Sequence, residues 1–96
     1  MRLDMSKFGL MLISRPAGRE AYLAARAYLF DDASAEVVLD FSGVKVLTPS
    51  WADAFLQNFR ADFKGSILYQ GTENPSVRAT LSLLDRVQHG EFSASL

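Results

Sequence analysis

Apolar residues fall along this chain in two kinds of run. Residues 8–14 (FGLMLIS), 36–41 (EVVLDF) and 66–70 (SILYQ) are short and apolar with little strict alternation. Runs of that length predict strands, and their continuity predicts strands covered on both faces, as in a parallel sheet. Between and after them the period lengthens to that of a helix. Over 17–31 the apolar residues 21, 22, 25, 28 and 29 make a broad stripe, which Leu23, Ala27 and Phe30 extend. Arg19, Glu20 and Arg26 fall elsewhere on that helix. Over 49–64, Trp51, Phe55, Phe59 and Phe63 recur every four residues, with Ala52 and Leu56 beside them. Asp53, Gln57, Arg60 and Lys64 make the opposite face. Over 75–88, Val77, Leu81 and Leu84 define a third face, flanked by Thr80, Leu83 and Val87.

The resulting order, β-α-β-α-β-α, predicts an α/β fold: a small, mostly parallel sheet with three helices and right-handed crossovers. Residues 1–6 are a candidate for an additional N-terminal edge strand, with Asp4 and Ser6 counting against it. Two helix starts are well marked. Thr48-Pro49 and Asn74-Pro75 each place a capping side chain before a proline, whose missing N–H costs nothing in the first turn. Gly65 and Gly90 stand where helices commonly stop.

Ninety-six residues without repeats, linkers or low-complexity tracts predict one domain spanning 1–96. A domain of this size has a thin margin of stability, to which a homodimer or a bound partner would add. Ten basic against eleven acidic residues, with no basic stripe, give no reason to expect nucleic acid or an anionic membrane as partner. The absence of cysteine excludes disulfides, thiolate metal sites and a cysteine nucleophile. No apolar stretch approaches a membrane span or a signal peptide, so a soluble, cytoplasmic protein is expected.

Enzymatic templates fail one after another. The glycines have no phosphate-loop spacing and no serine sits in a nucleophile elbow. The single histidine, His89, stands at a helix end beside Gly90, where its partial charge suits the helix dipole. Asp31-Asp32 and Asp40 are candidates for a hard cation, though adjacent acids after a helix are more simply a solvated end. No enzyme activity, cofactor or metal is expected.

What remains is segment 37–56, VVLDFSGVKVLTPSWADAFL. A buried strand ends at Asp40-Phe41, turns through Ser42-Gly43 and delivers a helix start at Thr48-Pro49-Ser50. Loops leaving the carboxyl ends of strands are where open α/β sheets gather function. Ser50, at the second helical position, either helps cap the helix or offers its hydroxyl to a phosphoryl group favoured by the dipole. The aromatic row of this helix is wider than one stripe needs. Either all of it packs on the sheet, or Trp51 stays exposed as an anchor for a partner. Arg15, Arg19 and Arg78 read as surface charges, with Arg15 placed to pair with Asp40 or Asp53.

The block LDFSGVKVLTPSWADAFLQNF resembles STAS-like domains of the family of unknown function, distant relatives of anti-sigma factor antagonists. FGLMLISRPAGREAYLAARAYL fits the same family, so the resemblance covers about residues 8–84. It implies a regulatory protein-binding module that docks on a histidine-kinase-type ATPase or sensor-kinase-like partner. In those regulators, phosphorylation at the helix start switches the complex off. Where they carry an acidic residue before the phosphoacceptor, this chain has Leu47, Thr48 and Pro49, and proline cannot accept phosphate. Ser50 matches the second hydroxyl of the pair, with Thr48 the other nearby. The docking surface implied comprises Ser42, Gly43, Thr48, Ser50, Trp51 and Asp53. Two other readings stay open: a binder of a small anionic ligand or nucleotide at the strand-end crevice, and a structural subunit of an oligomer.

Overall fold

The computed structural model describes residues 2–29, 36–63 and 65–88. In chain order these form β1 (Arg2–Asp4), a 3-10 turn (Met5–Phe8), β2 (Met11–Leu12), α1 (Arg15–Leu29), β3 (Glu36–Asp40) and β4 (Val46–Leu47). Then come α2 (Pro49–Asp62), β5 (Ser66–Gln70) and α3 (Pro75–Gln88). Phe30, Asp31, Asp32, Lys64, His89 and Gly90, which entered the sequence reading, lie outside the described residues.

The fold is the small α/β arrangement expected, with three helices and parallel strand pairing throughout among the described residues. β1, β3 and β5 form one sheet in that order, so the N-terminal segment does supply an edge strand. Leu3 pairs with Leu39, and Leu39 with Tyr69. β2 and β4 form a separate two-stranded ribbon, Met11 opposite Val46 and Leu12 opposite Leu47.

Two expectations are corrected here. The run 8–14 is not one strand. The Asp4 carboxylate accepts from the Ser6 N–H at 3.0 Å and starts a 3-10 turn directly after β1. Gly9 then takes φ 129°, a backbone region that L side chains rarely adopt. Phe8 turns its ring into the α2 aromatic row, 5.8 Å from Phe55 and 6.3 Å from Trp51, which leaves only Met11 and Leu12 as strand. The main sheet, for its part, is not buried on both faces. Its side chains alternate: Leu3, Val37 and Leu39 lie in the core, while Arg2, Val38 and Asp40 point the other way with Leu68, which is 45% exposed.

The core is one cluster between the inner sheet face and the helices. α2 supplies its spine. Trp51 stacks on Phe55 at 5.1 Å and Phe55 on Phe59 at 5.8 Å, with Tyr22 of α1 edge-on to Phe55. Each such pair contributes about 0.5–1.5 kcal/mol beyond burial. α1 approaches α2 at Gly18, where an added Cβ would lie 2.4 Å from the Trp51 carbonyl oxygen. Only glycine allows that contact, and it fixes where α2 begins.

Candidate functional site

The site starts where β3 ends. The Asp40 carboxylate accepts from the Ser42 N–H at 3.0 Å and from the Arg2 guanidinium at 2.9 Å. Hydrogen bonds from Ser42, backbone first and side chain second, with Arg2 adding to them, hold its carboxyl below the usual carboxylate range. The Val44 N–H closes the Ser42-Gly43 turn on the Phe41 carbonyl at 2.9 Å. Two glycines wedge this turn. A Cβ on Gly43 would meet Ser6 at 2.8 Å, and one on Gly71, at φ 66°, would meet the Ser42 nitrogen at 2.4 Å. Ser42 and Gly43 are exposed, but the turn they form is held between the 3-10 turn and the exit of β5.

The chain then runs through β4 alongside β2. Lys45 and Thr48 donate their N–H groups to the Leu10 and Leu12 carbonyls at 2.8 and 3.0 Å. The other edge of β4 is closed by side chains from the start of α3. The Asn74 amide donates to the Lys45 carbonyl at 2.8 Å, Ser76 accepts from the Leu47 N–H at 3.0 Å, and Thr80 donates to the Leu47 carbonyl at 2.7 Å. Neither β4 nor these polar anchors was foreseen. The Asn74-Pro75-Ser76 signal was legible as a helix cap, which it is, since Ser76 N–H donates to Asn74 at 2.8 Å. Its second role on β4 carries no local signature.

Thr48 is the N-cap of α2. Its hydroxyl accepts from the Trp51 N–H at 3.4 Å and donates to the Ile13 and Leu12 carbonyls. That hydroxyl is therefore engaged on both sides, in a half-buried position. Ser50, two residues on, is exposed, and among the described residues its hydroxyl has no partner. Trp51 is 1% exposed. As an exposed anchor it is corrected: the indole is the first ring of the core stack and cannot reach a partner. Asp53, a turn later, pairs with Arg15 at 2.8 Å; Asp40 pairs with Arg2, so the alternative left open for Arg15 resolves to Asp53. Arg78 donates to the Glu73 carbonyl at 2.7 Å.

The implied surface residues thus divide in two. Ser42 and Gly43 belong to the turn packed on Ser6 and Gly71, whereas Thr48, Ser50 and Asp53 surround the start of α2, beside β2 and Arg15. Asp40, the carboxylate weighed for a cation, already has its two partners, and among the described residues no three metal-ligating groups cluster. No helix among the described residues is long and apolar enough to cross a membrane.

A parallel sheet, a wedged strand-end turn and a helix start tied back to a neighbouring strand define a small α/β module of STAS-like type. The chain belongs to the family described as STAS-like domain of unknown function (DUF4325), whose family model matches residues 26–77. No curated protein and no solved structure matches the chain.

Proposed function

We infer that this chain is a cytoplasmic, non-enzymatic regulatory module that docks on a histidine-kinase-type ATPase or sensor-kinase-like protein and is switched by phosphorylation of Ser50. STAS-like domains are generally non-enzymatic. The observation that carries the reading is the contrast between two neighbouring hydroxyls. Thr48 is consumed by capping and by the β2 carbonyls, while Ser50 is exposed and unengaged. Ser50 therefore takes the phosphoacceptor role, Thr48 a structural one, and Ser42, Gly43, Ser50 and Asp53 the docking surface.

The same geometry favours a protein partner over a small anion. A helix start holds anions with its unpaired N–H groups. Here Pro49 has none, Thr48 takes that of Trp51, and Ala52 already donates to the Thr48 carbonyl at 3.0 Å. Only the Ser50 N–H is left. A phosphate on Ser50 would gain about 0.3–1 kcal/mol from the dipole, so its effect falls on the partner rather than on the fold.

The test is retention of partners from the native host by the immobilised full chain, as wild type, Ser50→Ala and Ser50→Glu. Wild type and Ser50→Ala should retain an ATPase of the histidine-kinase type, and Ser50→Glu should lose it while melting within a few degrees of wild type. No ATPase-like or kinase-like protein on the wild type, or equal retention by Ser50→Glu, removes the reading.

A further inference from the structure

β5 is the last strand of the main sheet, and among the described residues no strand pairs with its outer side. The Phe41 N–H donates to the Gln70 carbonyl at 2.9 Å, and backbone groups alternate in direction along a strand. Ser66, Leu68 and Gln70 therefore turn theirs toward β3. Ile67 and Tyr69 point theirs the other way, in the plane of the sheet, and among the described residues neither N–H has a partner. An open edge of this kind is a template for a further strand, and natural sheets guard such edges with charge. β1, at the opposite edge, carries exposed Arg2 and Asp4 within its three residues. β5 reads SILYQ and carries no charge.

Symmetry says what occupies it. An antiparallel pair of β5 strands centred on Leu68 sets Ile67 of each copy opposite Tyr69 of the other. Those are the residues whose backbone groups face outward, so every outward N–H of one copy meets a carbonyl of the other. A slip of one residue would set them against groups already bonded to β3. Leu68, 45% exposed, then lies against its own counterpart across the axis, and its neighbour Val38 continues the apolar strip into β3. Ser66 stands opposite Gln70, hydroxyl to amide.

The nearby charges fit the same axis. Lys64 and Glu73, which bracket the strand in sequence, are opposite in sign, so antiparallel pairing opposes no like pair there. Beside β5, a cleft of about 310 Å³ is lined by Tyr69 and by Arg78, Leu81, Ser82 and Asp85 of α3. The twofold runs the two α3 helices antiparallel, which turns Arg78 toward the second copy's Asp85. A second copy matches strand and helix at once, as an arbitrary extended segment does not.

We propose that β5 joins β5 of a second copy of this chain, antiparallel about a twofold axis at Leu68, so that two three-stranded sheets become one. The dimer adds the stability that a domain of this size lacks. It stands apart from docking at the α2 start, and either can fail alone.

Sedimentation of the full chain over a range of concentrations reads the association, and residue-resolved amide hydrogen exchange reads where it occurs. Wild type should dimerise as concentration rises, with exchange at Ile67 and Tyr69 slowing in step and the β1 edge unchanged. Leu68→Lys and Leu68→Glu, at an exposed position, should each keep a native circular dichroism spectrum. Each should dimerise about ten- to hundredfold more weakly, because like charges meet across the axis. An equal mixture of the two variants should associate again, since unlike charges then meet, a recovery specific to a residue that pairs with itself. A wild type monomeric over its whole soluble range, or a dimer without protection at Ile67 and Tyr69, overturns the proposal. So does a mixture no stronger than its components, or protection of those amides that requires another protein.

Discussion

Gly18 separates helix propensity from packing, because the two predict opposite signs for Gly18→Ala. Within a helix, alanine is favoured over glycine by about 1 kcal/mol. On propensity alone the variant should be more stable and, in a domain of this size, melt about 4–8 °C higher. The structure says otherwise. The new Cβ would sit 2.4 Å from the Trp51 carbonyl oxygen and 3.1 Å from its Cα, backbone atoms held by the α2 ladder that no rotamer change can move. Overpacking of this kind costs about 1–3 kcal/mol. With a backbone obstacle the upper end applies, and after the propensity gain a net loss of about 2 kcal/mol remains, or a melting temperature about 8–16 °C lower. The helix must back away from α2, so the environment of Trp51, and with it the indole fluorescence, should change as well. Ala24→Gly at an exposed position of α1 is the control and should lose about 1 kcal/mol through propensity alone. Thermal denaturation by circular dichroism measures all three. A Gly18→Ala protein as stable as wild type, or more so, would refute the close helix contact and the placement of the α2 start that depends on it.

Three further outcomes are expected. Thr48→Val should cost about 1–2 kcal/mol in urea unfolding, because the cap on Trp51 is lost, while Thr48→Ser retains most of it. Tyr22 donates its hydroxyl to the Asp62 carboxylate; burial first, then the bond to Asp62 and its charge, push the phenol up to about 12. A raised folded value means this contribution is intact below the unfolded value near ~10 and lost as pH rises toward 12; Tyr22→Phe should lack that alkaline loss. Asp40 has the opposite sign. Its lowered carboxyl stabilises the fold above the unfolded value near ~3.9 and is lost as pH falls through the folded one, so Asp40→Asn should show a shallower acid decline in urea midpoint.

Most of the elements were legible because their signals are local. The α2 row of aromatic residues four apart, the Thr48-Pro49 and Asn74-Pro75 starts, and the SILYQ strand needed only spacing and capping chemistry, and β5 and α3 fall where the sequence puts them. The failures share a cause, which is competition from distant residues. FGLMLIS has strand composition, but Phe8 packs on the rings of Trp51 and Phe55 in place of pairing, and Gly9 permits the break. Val46-Leu47 is too short to announce itself, and becomes a strand because β2 lies on one side and Asn74, Ser76 and Thr80 on the other. Within EVVLD the order places Val37 and Leu39 inward, and the outward Glu36, Val38 and Asp40 already carried the one-sided pattern that overall hydrophobicity obscured. At the site, the chemistry of Thr48 and Ser50 was visible as two nearby hydroxyls. Which one is spent depends on Ile13, 35 residues away, and no local pattern reports that. Trp51 is likewise sealed from a distance, by the Phe8 ring of the 3-10 turn and by the close approach of α1 at Gly18.

The most direct test of the account is the position of a phosphate. The chain is incubated with ATP and the partner proposed for it, an ATPase of the histidine-kinase type from the host, and any modified residue is located by tandem mass spectrometry. A single phosphate on Ser50, absent from Ser50→Ala, is the predicted result. Phosphate on Thr48, or on neither hydroxyl when the kinase modifies its own established substrate in the same reaction, would contradict it.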